Sequence, residues 1–188
     1  MILHMQNRIR FSYAPTLLCY LAILLLIVPL RLLIAAIISA VTHELFHILA
    51  LRFLCVPIDE VYIGLRGAKI STQPMTQKQE LFCALAGPIG GILLIPFYRW
   101  IPAISLCAFA QSLYNLLPLY PTDGGRVLRC CAHLLLPDKY AHVFTCGLEI
   151  LTLSMIVAVS IYGSFWLHLG IIPLLFAFSV LLQSTWRK

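Results

Sequence analysis

The chain has 188 residues, of which 61% are apolar and only 11% are charged, whereas a soluble domain is roughly half apolar and a quarter charged. This composition leaves too little polar surface to coat a soluble globule and favours the lipid bilayer as the surrounding solvent. The net charge of +6 comes from Lys and Arg residues scattered between apolar runs, which argues against a basic binding patch and predicts no nucleic-acid partner.

Six apolar runs follow one another along the chain, and each is close to the roughly 20 residues that a membrane-spanning helix needs. In chain order the predicted spans cover residues 14–30, 32–54, 80–98, 101–117, 140–162 and 165–183. The sequence therefore predicts an all-α polytopic membrane protein with about six transmembrane helices. No appended soluble domain is expected, so residues 1–188 are interpreted as a single transmembrane domain.

The more polar stretch between the second and third spans predicts a small β-hairpin. Val61, Ile63 and Leu65 alternate with other residues, and a period of two is typical of a strand. Gly67 favours a turn after this strand, and residues 68–72 would return as a second strand.

Small residues are concentrated in the third predicted span. Such residues let helices approach one another closely in lipid. The residues concerned are Ala84, Ala86, Gly87, Pro88, Gly90 and Gly91.

A broken segment follows the fourth span. Pro118 and Pro121 interrupt the helix, and Gly124 and Gly125 permit backbone angles that other residues avoid. A break at membrane depth is tolerated where it lines a cavity or is buried in protein. A short interfacial helix is predicted after it, over residues 126–136.

The basic residues divide unevenly between the two sides of this six-span arrangement. With a cytoplasmic N-terminus, the far side carries only Arg31 and Arg99 of the 13 basic residues. The cytoplasmic side carries Arg8, Arg10, Arg52, Arg66, Lys69, Lys78, Arg126, Arg129, Lys139, Arg187 and Lys188. This bias predicts a multi-pass membrane protein with both termini in the cytoplasm.

The strongest chemical signal is the motif His43-Glu44-Leu45-Phe46-His47 in the second span. Residues four apart share one face of a helix, so both imidazoles can bind one metal ion. Glu44 can accept a proton from water activated by that metal. Three ionisable residues within five positions at membrane depth are costly and usually functional, which favours a zinc-metalloprotease motif over chance.

Two histidines do not complete a catalytic zinc site, which normally has a third protein ligand and an open position. Asp123 is the best candidate, because the Pro- and Gly-rich turn before and after it can aim its carboxylate. Glu149 lies within the fifth span, where an acid is either functional or a structural partner of a neighbouring helix. The other acids outside the motif are Asp59, Glu60, Glu80 and Asp138.

Together these two elements resemble the site-2 protease family of intramembrane zinc metalloproteases. That family pairs HExxH with an Asn-x-x-Pro…Asp-Gly motif in a later span, and residues 115–124 of this chain match that second motif. The resemblance implies that His43, His47 and Asp123 bind one Zn²⁺ ion. It also implies that Glu44 is the general base and that Asn115 lies either near the substrate or behind the metal ligands, in contact with them.

The nearest likeness is to the compact bacterial branch, which includes the sporulation protease that cuts a pro-sigma factor. The match is close over about residues 32–126, which are interpreted as the catalytic core. It implies a membrane-protein substrate, such as a membrane-tethered transcription or sigma factor precursor. Tyr120 departs from the family pattern, since a Pro is frequent at this position.

Two alternatives to a protease stay open at this point. A transporter or channel could bind a metal ion in transit with the same residues, and an inactive relative could only bind membrane partners. A transit site does not require Glu44 between the two histidines, so this residue favours the protease. For the protease, the strand with Val61, Ile63 and Leu65 offers an edge to which an unwound substrate could add.

Overall fold

The computed structural model describes residues 10–64, 67–168 and 170–185. The helices are α1 (Thr16–Ile27), α2 (Leu30–Phe53), α3 (Gln77–Ile92), α4 (Pro102–Asn115), α5 (Asp123–Leu135), α6 (Asp138–Phe165) and α7 (Ile172–Thr185). The strands are β1 (Arg10–Tyr13), β2 (Ile58–Gly64) and β3 (Gly67–Thr72), and a short 3-10 helix covers Ile95–Arg99. Two compact units are present, one ending at Leu113 and one beginning at Tyr114.

Each of the six predicted spans coincides with a helix, but the helices differ in length. Within the described part of the chain, three segments are long and apolar enough to cross a membrane: Leu30–Phe53, Gln77–Arg99 and Asp138–Phe165. Helices α1, α4 and α7 have 12, 14 and 14 residues, or about 18–21 Å at 1.5 Å per residue, which is shorter than a ~30 Å hydrocarbon core. The prediction of a helical membrane protein with a small sheet is confirmed.

Large apolar side chains lie on the outside of these helices. Helix α1 has no buried residue, and Leu26 and Phe53 are 88% and 78% exposed. A helix that is apolar all round needs an apolar environment on every side. Lipid is the environment that satisfies these faces.

Helices α2 and α3 of the first unit pack closely because α3 presents glycines to its neighbours. A methyl group at Gly90 would lie 2.6 Å from Cδ2 of the Phe46 ring, and one at Gly91 would collide with the Ser112 hydroxyl. That hydroxyl donates a hydrogen bond of 3.2 Å to the carbonyl of Pro88. The close approach expected from the small residues of the third span is therefore confirmed.

The predicted hairpin is confirmed as the antiparallel pair β2–β3, with Val61 opposite Ile70. Gly67 makes the return with a φ of 103°, a left-handed angle that other residues adopt only with strain. The third strand, β1, is not predicted. It pairs in parallel with β2, with Phe11 opposite Val61.

The strand order β1-β2-β3 places β2 in the centre of the sheet. Both backbone edges of β2 are therefore paired, and this corrects the expectation that a substrate adds to the strand of Val61 and Ile63. Among the described residues, the outer edges of the sheet belong to β1 and β3. Leu65, the third residue of that expectation, lies outside the described residues.

A small apolar core fixes the sheet to the two helices. Leu51 of α2, Ile58 and Val61 of β2, and Cys83 of α3 form one buried cluster. Helix α3 begins beside this cluster in a capping box, in which Thr76 and Gln79 satisfy each other's backbone N–H groups. The sheet is thus held against the helices that carry and support the histidine motif.

Candidate metal centre

The first unit contributes two histidines one helical turn apart. His43 and His47 lie on the same face of α2 and are 4% and 6% exposed. Their Nε2 atoms are 3.2 Å apart. Two ligands on one tetrahedral zinc ion, each at about 2.0–2.1 Å, are separated by about 3.3 Å. The spacing of the two rings therefore fits a shared metal ion.

A hydrogen bond to α3 sets the tautomer of His47. Its Nδ1 lies 2.8 Å from the carbonyl oxygen of Cys83. A carbonyl only accepts, so Nδ1 carries the proton and Nε2 keeps its lone pair for a metal. A backbone carbonyl in this role is the usual orienting partner of a metal-binding histidine.

Gly87 of α3 leaves the space next to both imidazoles. A methyl group built at this position would collide with Nε2 of His47 and would lie 2.7 Å from Cε1 of His43. Any side chain larger than hydrogen would thus press on the ring edges that face a metal. The absence of a Cβ at residue 87 is the structural feature that accommodates the pair.

Glu44 follows His43 on α2 and is half-buried. One residue along a helix turns the side chain by about 100°, so Glu44 lies beside the histidine face and not on it. This placement suits a group that accepts and donates protons next to a metal ion but does not itself bind the ion.

The second unit contributes Asp123, the first residue of α5. The helix begins three residues earlier than the predicted 126–136, because Thr122 caps it. The Thr122 hydroxyl donates to the carbonyl of Leu117 at 2.7 Å and accepts from the backbone N–H of Gly125 at 3.5 Å. The capping residue therefore connects the turn at residues 116–122 to the helix that carries the carboxylate.

Two glycines make the close packing of this turn possible. A methyl group at Gly124 would collide with the carbonyl oxygen of Leu116, and one at Gly125 with the carbonyl oxygen of Leu119. The backbone of the turn thus lies directly on the first turn of α5. This contact requires glycine at both positions.

The carboxylate of Asp123 is placed where negative charge is stabilised. It is 7% exposed, and Nη1 of Arg126 lies 3.6 Å from its Oδ1. The first turn of a helix also carries partial positive charge. Both features place positive charge next to the carboxylate of Asp123.

The remaining predicted site residues have less specific surroundings. Asn115 is the last residue of α4 and is half-buried. Val61 is 6% exposed and belongs to the core cluster, whereas Ile63 is 43% exposed. Sequence analysis named Gly87 only as one of the small residues of the third span, without its contact to the histidines, and did not identify Thr122 or the Cys83 carbonyl. Thr122 had a signal, a Thr directly before a helix start.

The long apolar helices, the small sheet and the buried histidine pair define a helical membrane protein with a candidate metal centre on its second helix. Comparison with solved structures places the fold beside the site-2 protease from Methanocaldococcus jannaschii. The TM-score is 0.60 with 19% identity, over 89% of this chain and 85% of that one. The site-2 protease fold implied by the two motifs is thereby confirmed.

Comparison of sequences matches the chain to a zinc metalloprotease from the same organism. It is 29% identical over 120 residues, which cover 56% of this chain and 34% of that protein. The chain thus spans about a third of the length of this relative. No protein-family model matches the chain.

Proposed function

We propose that this chain is an intramembrane zinc metallopeptidase that hydrolyses peptide bonds of membrane-spanning or membrane-tethered proteins. The observation that carries the proposal is the buried pair of His43 and His47, with ring nitrogens 3.2 Å apart and Glu44 beside them. Both comparisons support it, since the sequence match is named a zinc metalloprotease and the structural match a site-2 protease.

The proposed ligands are His43, His47 and Asp123, a buried group that could hold one metal ion. Two neutral imidazoles and one carboxylate form the donor set of several catalytic zinc sites, and a fourth position stays open for water or substrate. We further propose that residues 1–188 act as one catalytic domain, with the core at about 32–126.

Bound zinc would supply Lewis-acid activation of water and of the scissile carbonyl. The protein's own contribution to proton transfer is Glu44. Its carboxylate accepts a proton from the attacking water and returns it to the leaving nitrogen. The Cys83 carbonyl keeps His47 in the tautomer that binds metal throughout.

The backbone N–H and C=O groups of a substrate helix are hydrogen-bonded within the helix, which protects its peptide bonds. The substrate must therefore unwind locally before it is cut. The free edges of β1 and β3 offer backbone groups that can pair with an extended segment. Within this proposal Val61 fixes the sheet to α2 and α3, Ile63 contacts the substrate from the exposed face, and Asn115 orients it.

The physiological setting is proposed from the charge distribution and the family likeness. We place the protein in a bacterial-type cell membrane as a multi-pass protein with cytoplasmic termini. Its substrate would be a membrane-tethered transcription or sigma factor precursor. Proteolysis would then release a soluble regulator into the cytoplasm.

Glu44→Gln tests the peptidase directly. In purified protein with a membrane-tethered reporter substrate, cleavage should fall by about 10²–10⁴-fold, the typical contribution of a general base. Zinc content should stay at that of the wild type, because all three proposed ligands remain. His47→Ala is the matched control and should lose both zinc and activity.

The same variant separates a peptidase from a metal transporter. A transit site has no use for a proton acceptor between its ligands, so metal uptake into proteoliposomes would be unchanged by Glu44→Gln. Full cleavage by the variant, or metal uptake by the wild type without cleavage of any membrane substrate, would refute the peptidase.

A further inference from the structure

A hydrogen bond between two helices of the first unit lies one turn away from the histidine pair. The Ser39 hydroxyl of α2 donates to Oε1 of Gln111 on α4 at 2.7 Å. Ser39 is 1% exposed and lies about 14 Å along the helix axis from the start of α2 and about 21 Å from its end. A headgroup layer is about 5–7 Å thick, so this polar pair lies within the apolar layer of a membrane that α2 crosses.

Ser39 belongs to the helix face that carries the two histidines. Ser39, His43 and His47 follow one another at intervals of four residues, and all three side chains are buried. Four residues rise about 6 Å along a helix axis. Because Gln111 contacts Ser39, its amide lies about one helical turn beyond His43 on the same side of α2.

The contact with Ser39 determines which end of the Gln111 amide remains for another ligand. A carboxamide has an oxygen that accepts hydrogen bonds and an NH2 group that donates two. The oxygen receives the proton of Ser39, so the NH2 group is directed elsewhere. Gln111 is half-buried, and within the described residues its Nε2 has no hydrogen-bond partner.

Two other polar residues of α4 donate their hydrogen bonds within the protein. Ser105 and Ser112 are buried, and their hydroxyls donate to the carbonyls of Leu94 and Pro88. Such bonds hold neighbouring elements together and leave no donor for a ligand. Gln111 differs, because it makes one such bond and still offers two donors at a depth where water is scarce and an unsatisfied amide is costly.

We propose that Gln111 is a substrate-binding residue whose NH2 group donates a hydrogen bond to a backbone carbonyl of the unwound substrate, and that Ser39 is the positioning residue that orients it. The inference rests on the proposed peptidase activity. A segment that unwinds in a membrane exposes carbonyl groups that need donors. A neutral amide supplies a donor at a lower desolvation cost than a Lys or Arg side chain.

The spacing along α2 indicates which substrate carbonyl is bound. An extended chain rises about 3.3 Å per residue, so one helical turn of about 6 Å corresponds to about two residues of substrate. Carbonyl groups two residues apart point the same way in a strand. One extended segment can therefore place the cleaved bond at the histidine pair and a second carbonyl, about two residues away, at Gln111.

The test measures substrate binding to the full chain in the Glu44→Gln background, in which a bound peptide stays intact. The probe is a fluorescently labelled, Leu-rich transmembrane peptide with a Gly-Pro pair at its centre, which favours unwinding. Gln111→Met keeps the length of the side chain and removes both donors. It should raise Kd about 3- to 10-fold, the effect of one neutral hydrogen bond; an unchanged Kd would overturn the inference.

Ser105→Ala is the matched control on the same helix. It removes a buried hydrogen bond of 2.8 Å to the Leu94 carbonyl, so the unfolding temperature should fall while Kd stays unchanged. An equal rise of Kd in this variant would assign the effect to packing of α4. Gln111→Asn keeps a carboxamide but shortens its reach, and should also raise Kd; it replaces Gln111→Met if circular dichroism shows that the Met variant has lost helix content.

Ser39→Ala tests the positioning residue. It should raise Kd about twofold, the lower end for one hydrogen bond, because the amide is then free to rotate. Combined with Gln111→Met, it should weaken binding no further than Gln111→Met alone, since Ser39 acts through the amide. Additive losses would show that Ser39 contributes by packing and not by orienting Gln111.

Replacing one peptide bond of the probe by an ester identifies the bound carbonyl, because an ester carbonyl is a weaker acceptor. Kd should rise most when the ester lies about two residues from the bond that the wild type cleaves. Gln111→Met should not respond to that ester, and this comparison cancels the other effects of the ester. Equal responses with and without Gln111 at every position would contradict the contact.

Cleavage kinetics separate this inference from the proposed function. With Glu44 present, Gln111→Met should raise KM and leave kcat close to the wild-type value, because the contact is remote from the reacting atoms. Wild-type KM in Gln111→Met would overturn this inference alone. If the chain with Glu44 cleaves no membrane peptide, the peptidase is refuted and this inference with it.

Discussion

The two regions that carry the candidate ligands are built on different principles. His43 and His47 lie on one face because of helical pitch, since any regular helix places residues four apart on the same side. Asp123 depends on a turn whose backbone lies directly on the first turn of α5, at Gly124 and Gly125. One region is local and regular, and the other is irregular and held by backbone contacts.

This difference determines how each region responds to mutation. Among the described residues, the Cys83 carbonyl and Gly87 of α3 contact the histidine pair from outside its helix. Asp123 can be disturbed from within its own segment, through the cap at Thr122 or either glycine. We therefore expect substitutions next to the histidine pair to lower zinc affinity strongly without changing the stability of the protein. Substitutions next to Asp123 should lower zinc affinity less and should also lower the stability.

Gly87→Ala should have the largest effect. The new methyl group collides with Nε2 of His47, so zinc affinity should fall about 10- to 100-fold, as for loss of an orienting partner of a ligand. Zinc titration of the purified variant measures this. Far-UV circular dichroism should stay unchanged, because Ala is a good helix former.

Gly147→Ala provides the matched control for this change. Gly147 lies in α6, and a methyl group there meets no atom within 4 Å. The substitution should leave zinc affinity unchanged and stabilise the helix by about 0.5–1 kcal/mol. If both alanine variants lost zinc equally, the role assigned to Gly87 would be wrong.

Gly125→Ala should have an intermediate effect in the second region. Its methyl group collides with the Leu119 carbonyl, and forcing extra volume into close packing costs about 1–3 kcal/mol. Unfolding in denaturant should show this loss, together with weaker zinc retention. Zinc loss without any change in stability would show that the turn is less tightly packed than the structure indicates.

Thr122→Ala should have the smallest effect. Loss of a helix N-cap typically costs about 1 kcal/mol, and the turn also loses the hydrogen bond to the Leu117 carbonyl. Thr122→Ser keeps the hydroxyl and should restore most of the stability. If the serine variant is as unstable as the alanine variant, packing of the Thr methyl group and not capping is responsible.

Much of the fold was predictable because its signals are local. Runs of apolar residues predicted all six main helices, and the alternation at Val61 and Ile63 together with Gly67 predicted the hairpin. The strand β1 was missed, although Arg10-Phe-Ser-Tyr alternates weakly; four residues carry too little pattern, and only pairing with β2 makes them a strand. The start of helix α5 was predicted three residues too late, because Thr122 was not recognised as its N-cap.

The sequence by itself determined that the protein lies in a membrane, that two histidines share a helix face, and that an aspartate follows a broken helix. These features depend on composition and on spacing along the chain. Only the tertiary structure decided that β2 is central, that the Cys83 carbonyl sets the tautomer of His47, and that Gly87 makes room for both rings. These contacts join residues distant in the chain, and backbone packing between elements leaves no periodic signal in the sequence.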